Sequence, residues 1–207
     1  MTKRNVITTN RKLILIFEYI LVAVMPVIIL ARAELREYSL PYAALLIWVL
    51  VVILIVWAER WSLNKLGLGF NNLRQGVGYY VSVGLISTVF MSIYAIALGK
   101  SVEQNLSQYW HFRFLFIPVS VFQEFIYRGF LLTTLKSILH LKILVIIINT
   151  LAFVMLHIFF PDFPSVLPMI IWFGLVMDAI YYTYPNLVAA SIIHSCVNFL
   201  AVAVHWT

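Results

Sequence analysis

Residues 40–58 read LPYAALLIWVLVVILIVWA, nineteen positions without one charged side chain. At 1.5 Å per residue a helix of that length rises about 28 Å, close to the thickness of a bilayer's hydrocarbon core. Lipid offers the backbone no hydrogen-bond partner, so such a stretch must satisfy its own amides. Working outward from it, comparable segments cover 13–31, 77–99, 114–135, 143–160, 166–184 and 187–206. They are too long and too uniformly apolar for the alternating strands of a membrane barrel. The whole chain of 207 residues is 63% hydrophobic and 11% charged, with a mean hydropathy of +0.99. A soluble domain carries roughly 25% charged residues, so a soluble globule is excluded. The expected fold is an all-α polytopic membrane protein of about seven transmembrane helices in one bundle, a single helical domain over 1–207.

The first apolar segment follows a basic lead of Lys3, Arg4, Arg11 and Lys12 and precedes charged residues, not a small-residue cleavage site. It reads as a retained first helix. The net charge of +6 follows topology. With the N-terminus inside, Lys3, Arg4, Arg11, Lys12, Arg60, Lys65, Arg74, Lys136 and Lys142 fall on the cytoplasmic side, and only Arg32, Arg36, Lys100 and Arg113 outside. That asymmetry obeys the positive-inside rule and removes the need for a nucleic-acid partner; the partner it implies is the lipid bilayer. A single cysteine, Cys196, excludes an internal disulfide framework and a cysteine-cluster metal site. The longest polar interruption, ERWSLNKLGLGFNNLRQ from Glu59 to Gln75, reads as a cytoplasmic loop or interfacial helix, with Trp57 and Trp61 at the interface. Pro26, Pro41, Pro118 and Pro168 read as tolerated kinks.

A charge near the bilayer centre costs about 2.5–3.5 kcal/mol on insertion scales, so it persists where it faces the bundle interior and has a partner. The intramembrane polar residues are Glu18, Gln123, Glu124, Arg128, His157, Asp178, His194 and Asn198. In VFQEFIYRGF, Glu124 and Arg128 stand four apart and share a helix face. Taken alone they are equally a structural ion pair, and Gly129 beside them permits close helix approach. His157 closes FVMLH one turn after Phe153, and HSCVN places His194 and Asn198 on one face. A lone histidine is most often a satisfied packing residue. Two histidines, an asparagine and a Glu/Arg pair on the fourth, fifth and seventh segments are satisfied together most simply by one shared polar pocket. Glu18 reads as structural, and Asp178 as locally hydrogen-bonded near Tyr181 and Tyr182. His111, His140 and His205 sit at membrane boundaries, where an amphipathic ring is at home.

In order and placement, QEFIYR (Gln123 to Arg128), FVMLH (Phe153 to His157) and HSCVN (His194 to Asn198) resemble the CAAX protease and bacteriocin-processing (CPBP, or Abi) family of intramembrane proteases. That family's pattern is Glu-Glu-x-x-x-Arg, Phe-x-x-x-His and His-x-x-x-Asn/Asp on successive core helices. The resemblance covers about residues 110–200, and the Leu-Gly-Leu-Gly at 66–69 is also family-like. It implies a glutamate-type, CAAX-protease-like peptidase acting on a membrane-associated or prenylated peptide, with Gln123, Glu124, Arg128, His157, His194 and Asn198 at the site. It further implies an integral protein of a bacterial cytoplasmic membrane.

One departure bears on activity: the family's first glutamate, to which water activation is assigned, is Gln123 here, and a carboxamide is not a general base. Three explanations stand open: Glu124 takes over, the chain is a catalytically impaired relative serving as a peptide-binding, immunity or scaffold protein, or the glutamine is an introduced substitution. In the family's scheme a glutamate and His157 polarise the water, His194 and Asn198 donate to the oxyanion, and Arg128 keeps the adjacent carboxylate ionised. No cofactor is expected. Zinc held by Glu124, His157 and His194 is the minor alternative, since His-Glu-x-x-His is absent. Neither the Gly-x-Ser-Gly of rhomboid-like proteases nor the Gly-x-Gly-Asp of presenilin-like ones occurs, and no inverted repeat suggests a transporter. Segment lengths raise one difficulty. His157 falls near the outer end of its helix and His194 about 11 Å from the inner end of its own. Straight, full-length helices keep them apart.

Overall fold

The computed structural model describes residues 8–31, 40–69, 73–102, 116–160 and 162–204. These form seven helical rods, with no strand among the described residues. They are α1 (Thr9–Leu30), α2 (Leu40–Ala58) and α3 (Leu73–Ala97), then a composite fourth rod, then α6 (Lys142–His157), α7 (Phe163–Thr183) and α8 (Leu187–Ala203). The fourth rod is α4 (Phe116–Glu124), a π-helical stretch (Phe125–Leu132) and α5 (Thr133–Ile138). Among the described residues three helices are long and apolar enough to cross a membrane: Thr9–Leu30, Arg74–Ala97 and Phe163–Thr183. Ala44–Ala58, Lys142–His157 and Leu187–Ala203 are apolar but shorter.

The polarity of the fold is inverted relative to a soluble protein. Large apolar side chains stand on the outside, Ile96 at 75% exposure and Leu54 at 63%, whereas Glu124, Arg128 and Asp178 are fully buried. Only a lipid surround makes that distribution favourable, since exposed apolar area of this extent in water drives association. The π-helical stretch lies at the centre, and every residue from Ile126 to Leu132 is buried. Two hydroxyls that follow it bond back to its carbonyls. Thr133 Oγ1 donates to Arg128 O at 3.3 Å and Thr134 Oγ1 to Phe130 O at 2.9 Å.

The two ends of the bundle differ in charge. At one end Arg11 pairs with Glu59, Lys65 lies 3.4 Å above the Trp61 ring, Lys136 donates to Tyr182 O and Lys142 to Thr183 Oγ1. At the other, Lys100 binds Asp162 at 2.7 Å. Burial pushes the Lys65 ammonium down to about 8, with Arg11 adding to the shift. Hydrogen bonds from Lys100 and Ser165 hold the Asp162 carboxyl below its usual range.

The polar stretch after α2 is a series of turns from Glu59 to Gly69, not an interfacial helix, and α3 begins at Leu73; residues 70–72 lie outside the described set. Its Leu-Gly-Leu-Gly run docks on the α7–α8 junction. Tyr181 donates its hydroxyl to Leu66 O at 2.7 Å, and the Leu187 amide donates to Gly67 O at 2.8 Å. Gly67 has a φ of 72°, a conformation L side chains rarely adopt. Asn186 then caps α8 by accepting from the Ala189 amide at 2.8 Å. Pro26 and Pro168 lie inside α1 and α7, as kink positions should, while Pro41 and Pro118 occupy first turns where no helical amide is lost. His140 is exposed between α5 and α6; His111 and His205 lie outside the described residues.

Close helix approach falls at Gly174, and likewise at Gly84 against Ile193, but not at Gly129. A Cβ on Gly129 meets Leu66 O at an ordinary 3.6 Å, whereas one on Gly174 comes within 2.8 Å of Thr150 Cγ2. Gly174→Ala is therefore expected to destabilise by about 1–3 kcal/mol as α6 and α7 move apart, read as a lower unfolding midpoint in detergent micelles. An unchanged midpoint would show that the α6–α7 contact has slack.

Candidate active site

Glu124 ends α4 and Arg128 lies one turn on, in the π-helical stretch. Arg128 Nη1 donates to Glu124 Oε1 at 2.9 Å, as the four-residue spacing predicts. The same Oε1 accepts from His194 Nδ1 of α8 at 2.7 Å. Arg128 Nε donates to Asp178 Oδ1 of α7 at 2.9 Å, so two carboxyl groups share one guanidinium. Asn149 Nδ2 also donates to Asp178 Oδ1, and Thr150 Oγ1 to Oδ2, each at 3.0 Å. The guanidinium stacks 4.5 Å above the Phe153 ring. This network ties the fourth rod, α6, α7 and α8 together. Asp178 is thus not locally satisfied by Tyr181 and Tyr182: its helix turns it inward, where Arg128, Asn149 and Thr150 meet it.

Beside the network lies a cavity of about 570 Å³, within the range of small-molecule sites. Gln123, His157, His194 and Asn198 line it, and most of the remaining wall is apolar, from every rod of the bundle. Glu124 and Arg128 do not line it. The six candidate residues therefore separate: four face the cavity, and two stand behind it, Glu124 bonded to His194 and Arg128 bonded to Glu124. Among the described lining residues there is no carboxylate and no cationic Lys or Arg.

The difficulty over the two histidines resolves around one ring. Phe153 lies 4.6 Å from the His157 ring and 5.9 Å from the His194 ring, centroid to centroid. The fifth helix stops at His157, short of the anticipated 160, and that side chain folds back one turn so that Nδ1 donates to Phe153 O at 2.8 Å. Asn198 donates to Ser120 Oγ at 3.0 Å, and Ser120 in turn to Phe116 O at 2.7 Å.

Asn149, Thr150 and Ser120 escaped the sequence reading. Asn149, Phe153 and His157 follow one another at four-residue intervals, which was the available signal. Glu18 stays outside the site, within electrostatic reach of Arg11 and Lys65. Among the described residues no three His, Cys, Asp or Glu side chains gather as a metal-holding group. In the conditional zinc set of Glu124, His157 and His194, the carboxylate already commits Oε1 to Arg128 and His194.

Charge and imidazole buried between apolar rods, beside a cavity with an apolar and a polar wall, define an integral membrane protein with a polar interior. The family model described as type II CAAX prenyl endopeptidase Rce1-like matches residues 105–200, the stretch that holds the three motifs, in agreement with their resemblance to the CAAX protease and bacteriocin-processing family. No curated protein and no solved structure matches the chain.

Proposed function

We propose that this protein is an intramembrane peptidase that hydrolyses a peptide bond in a membrane-associated or prenylated peptide. The observation that carries this reading is the convergence of Gln123, His157, His194 and Asn198, from three separate rods, on one cavity. Residues so distant in sequence meet there at the cost of burying polar groups among apolar ones, which lipid-exposed packing does not require. The apolar remainder of the wall suits a lipid chain or hydrophobic flank, and the imidazole and carboxamide groups suit a scissile peptide group and the water that attacks it. The crossing of all seven rods, with the N-terminus inside, accounts for the basic cluster of Arg11, Lys65, Lys136 and Lys142 at one end.

The experiment is cleavage of internally quenched peptides, with and without a prenylated cysteine, by protein reconstituted in liposomes. His157→Ala and Asn198→Ala are each expected to lower kcat by about 10²-fold or more while the protein stays folded. Cleavage by the parent that neither substitution alters would place the chemistry elsewhere.

A second reading has its own observation: no carboxylate lines the cavity among the described residues. On that reading the chain binds a peptide without cutting it, as an immunity or scaffold relative. Peptide binding without turnover by the same preparation identifies it.

A further inference from the structure

A cavity without a carboxylate on its wall still needs a base if it is to cut a peptide, and the hydrogen bonds of the two histidines say which atoms are free to act. Phe153 O has no proton to give, so His157 Nδ1 carries the hydrogen of their 2.8 Å bond. Glu124 Oε1 already accepts from Arg128, so His194 Nδ1 donates the 2.7 Å bond between them. In a neutral imidazole the second nitrogen is then a bare lone pair. Both rings line the cavity, and each has Nε2 as its remaining proton acceptor.

We infer that His194, backed by Glu124, is the general base of this chain, and that the Asn198 carboxamide receives the oxyanion. The inference rests on the peptidase reading and reverses the resemblance's role for His194, because a neutral ring already donating from Nδ1 has no second N–H for an oxyanion. His194 stands above His157 because of what lies behind each ring. His157 leans on an uncharged carbonyl, whereas His194 leans on a carboxyl held by a guanidinium, and a charge-assisted bond is about twice as strong as a neutral one. When Nε2 takes a proton, Glu124 stabilises the resulting imidazolium and keeps the ring oriented, the logic of a carboxylate–imidazole pair in hydrolases. The other charged or titratable groups around the ring are Arg128 and Asp178 behind Glu124, and His157 across Phe153.

The step balances. Water gives one proton to His194 Nε2 as its oxygen bonds to the carbonyl carbon, and the C=O pair moves onto oxygen beside the Asn198 carboxamide N–H. Collapse re-forms C=O, breaks C–N, and returns the proton from Nε2 to the departing amine nitrogen. Peptide and water become acid and amine, and His194 is restored. Glu124 touches no reacting atom and is a positioning residue.

The test combines two measurements on the full chain in micelles or liposomes. ¹⁵N-histidine NMR of the parent is expected to show His194 as the Nδ1–H tautomer with a bare Nε2; an Nε2–H tautomer overturns the proposal whatever the activity. Hydrolysis of a quenched prenylated peptide is expected to lose about 10²–10⁴-fold in kcat in His194→Gln and in Glu124→Gln, with KM within about twofold. In a Gln123→Glu background, where a carboxylate faces the cavity, Glu124→Gln is expected to cost less than in the parent. A parent whose kcat ignores Glu124→Gln overturns the proposal. So does a silent parent whose Gln123→Glu form cuts, and that outcome leaves the peptidase reading standing. Silence from both the parent and Gln123→Glu overturns that reading and the proposal with it.

Discussion

Gln123→Glu is expected to raise peptide hydrolysis over the parent by up to about 10²-fold, because it adds a carboxylate base to the one that His194 supplies. The exchange is nearly isosteric, so the gain comes from chemistry and not from repacking. Gln123 is 8% exposed and lines the cavity with His157, His194 and Asn198, whereas its neighbour Glu124 is fully buried and turned toward Arg128 and His194. A carboxylate at 123 therefore faces the place where water and substrate meet, and it does not compete for the guanidinium. The measurement is kcat on quenched peptides alongside the unfolding midpoint. A midpoint near the parent's with kcat unmoved would sink the assignment of position 123 to the reacting water. Binding that stays intact with no turnover in either form would move the protein to the peptide-binding class.

The largest stability effect is expected at Asp178. Asp178→Ala leaves the Nε of Arg128, the Nδ2 of Asn149 and the Oγ1 of Thr150 without their shared acceptor in a fully buried place. Removing one partner of a buried ion pair costs about 3–5 kcal/mol, because the remaining charge keeps its desolvation penalty. Asp178→Asn keeps the shape and one acceptor, and is expected to lose roughly half as much, near the 1–3 kcal/mol of one unsatisfied buried polar group. Unfolding followed by circular dichroism in micelles reads both. Arg128→Ala combined with Asp178→Ala should cost far less than the sum of the two, since the residues share one network. Strict additivity would show that the two side chains do not act together.

How far the site was legible follows from how each residue's signal is written. Glu124 and Arg128 are four apart on one rod, so their pairing is local and periodicity reveals it. Phe153 and His157 are likewise neighbours on one face. The Asp178–Arg128 bond spans fifty positions and has no local signature, and Tyr181 and Tyr182 offered a nearer explanation that the fold does not use. The π-helical stretch is equally silent: FIYRGFLL reads like an apolar α-helical segment, and its wider turn shows only in the fold, where it packs against five other rods.

What the residues by themselves determined is the class of structure and the candidates within it. Segments of about twenty apolar residues must be helices in lipid, because the backbone has nothing else to bond, and the few polar side chains among them stand out against that background. Which of those side chains face the cavity, and which stand behind, only the tertiary structure decided. Gln123 and Glu124 are adjacent and chemically similar, yet a helix turns successive residues about 100° apart. That rotation, together with where Arg128 and His194 lie, puts the carboxamide on the wall and the carboxylate behind it.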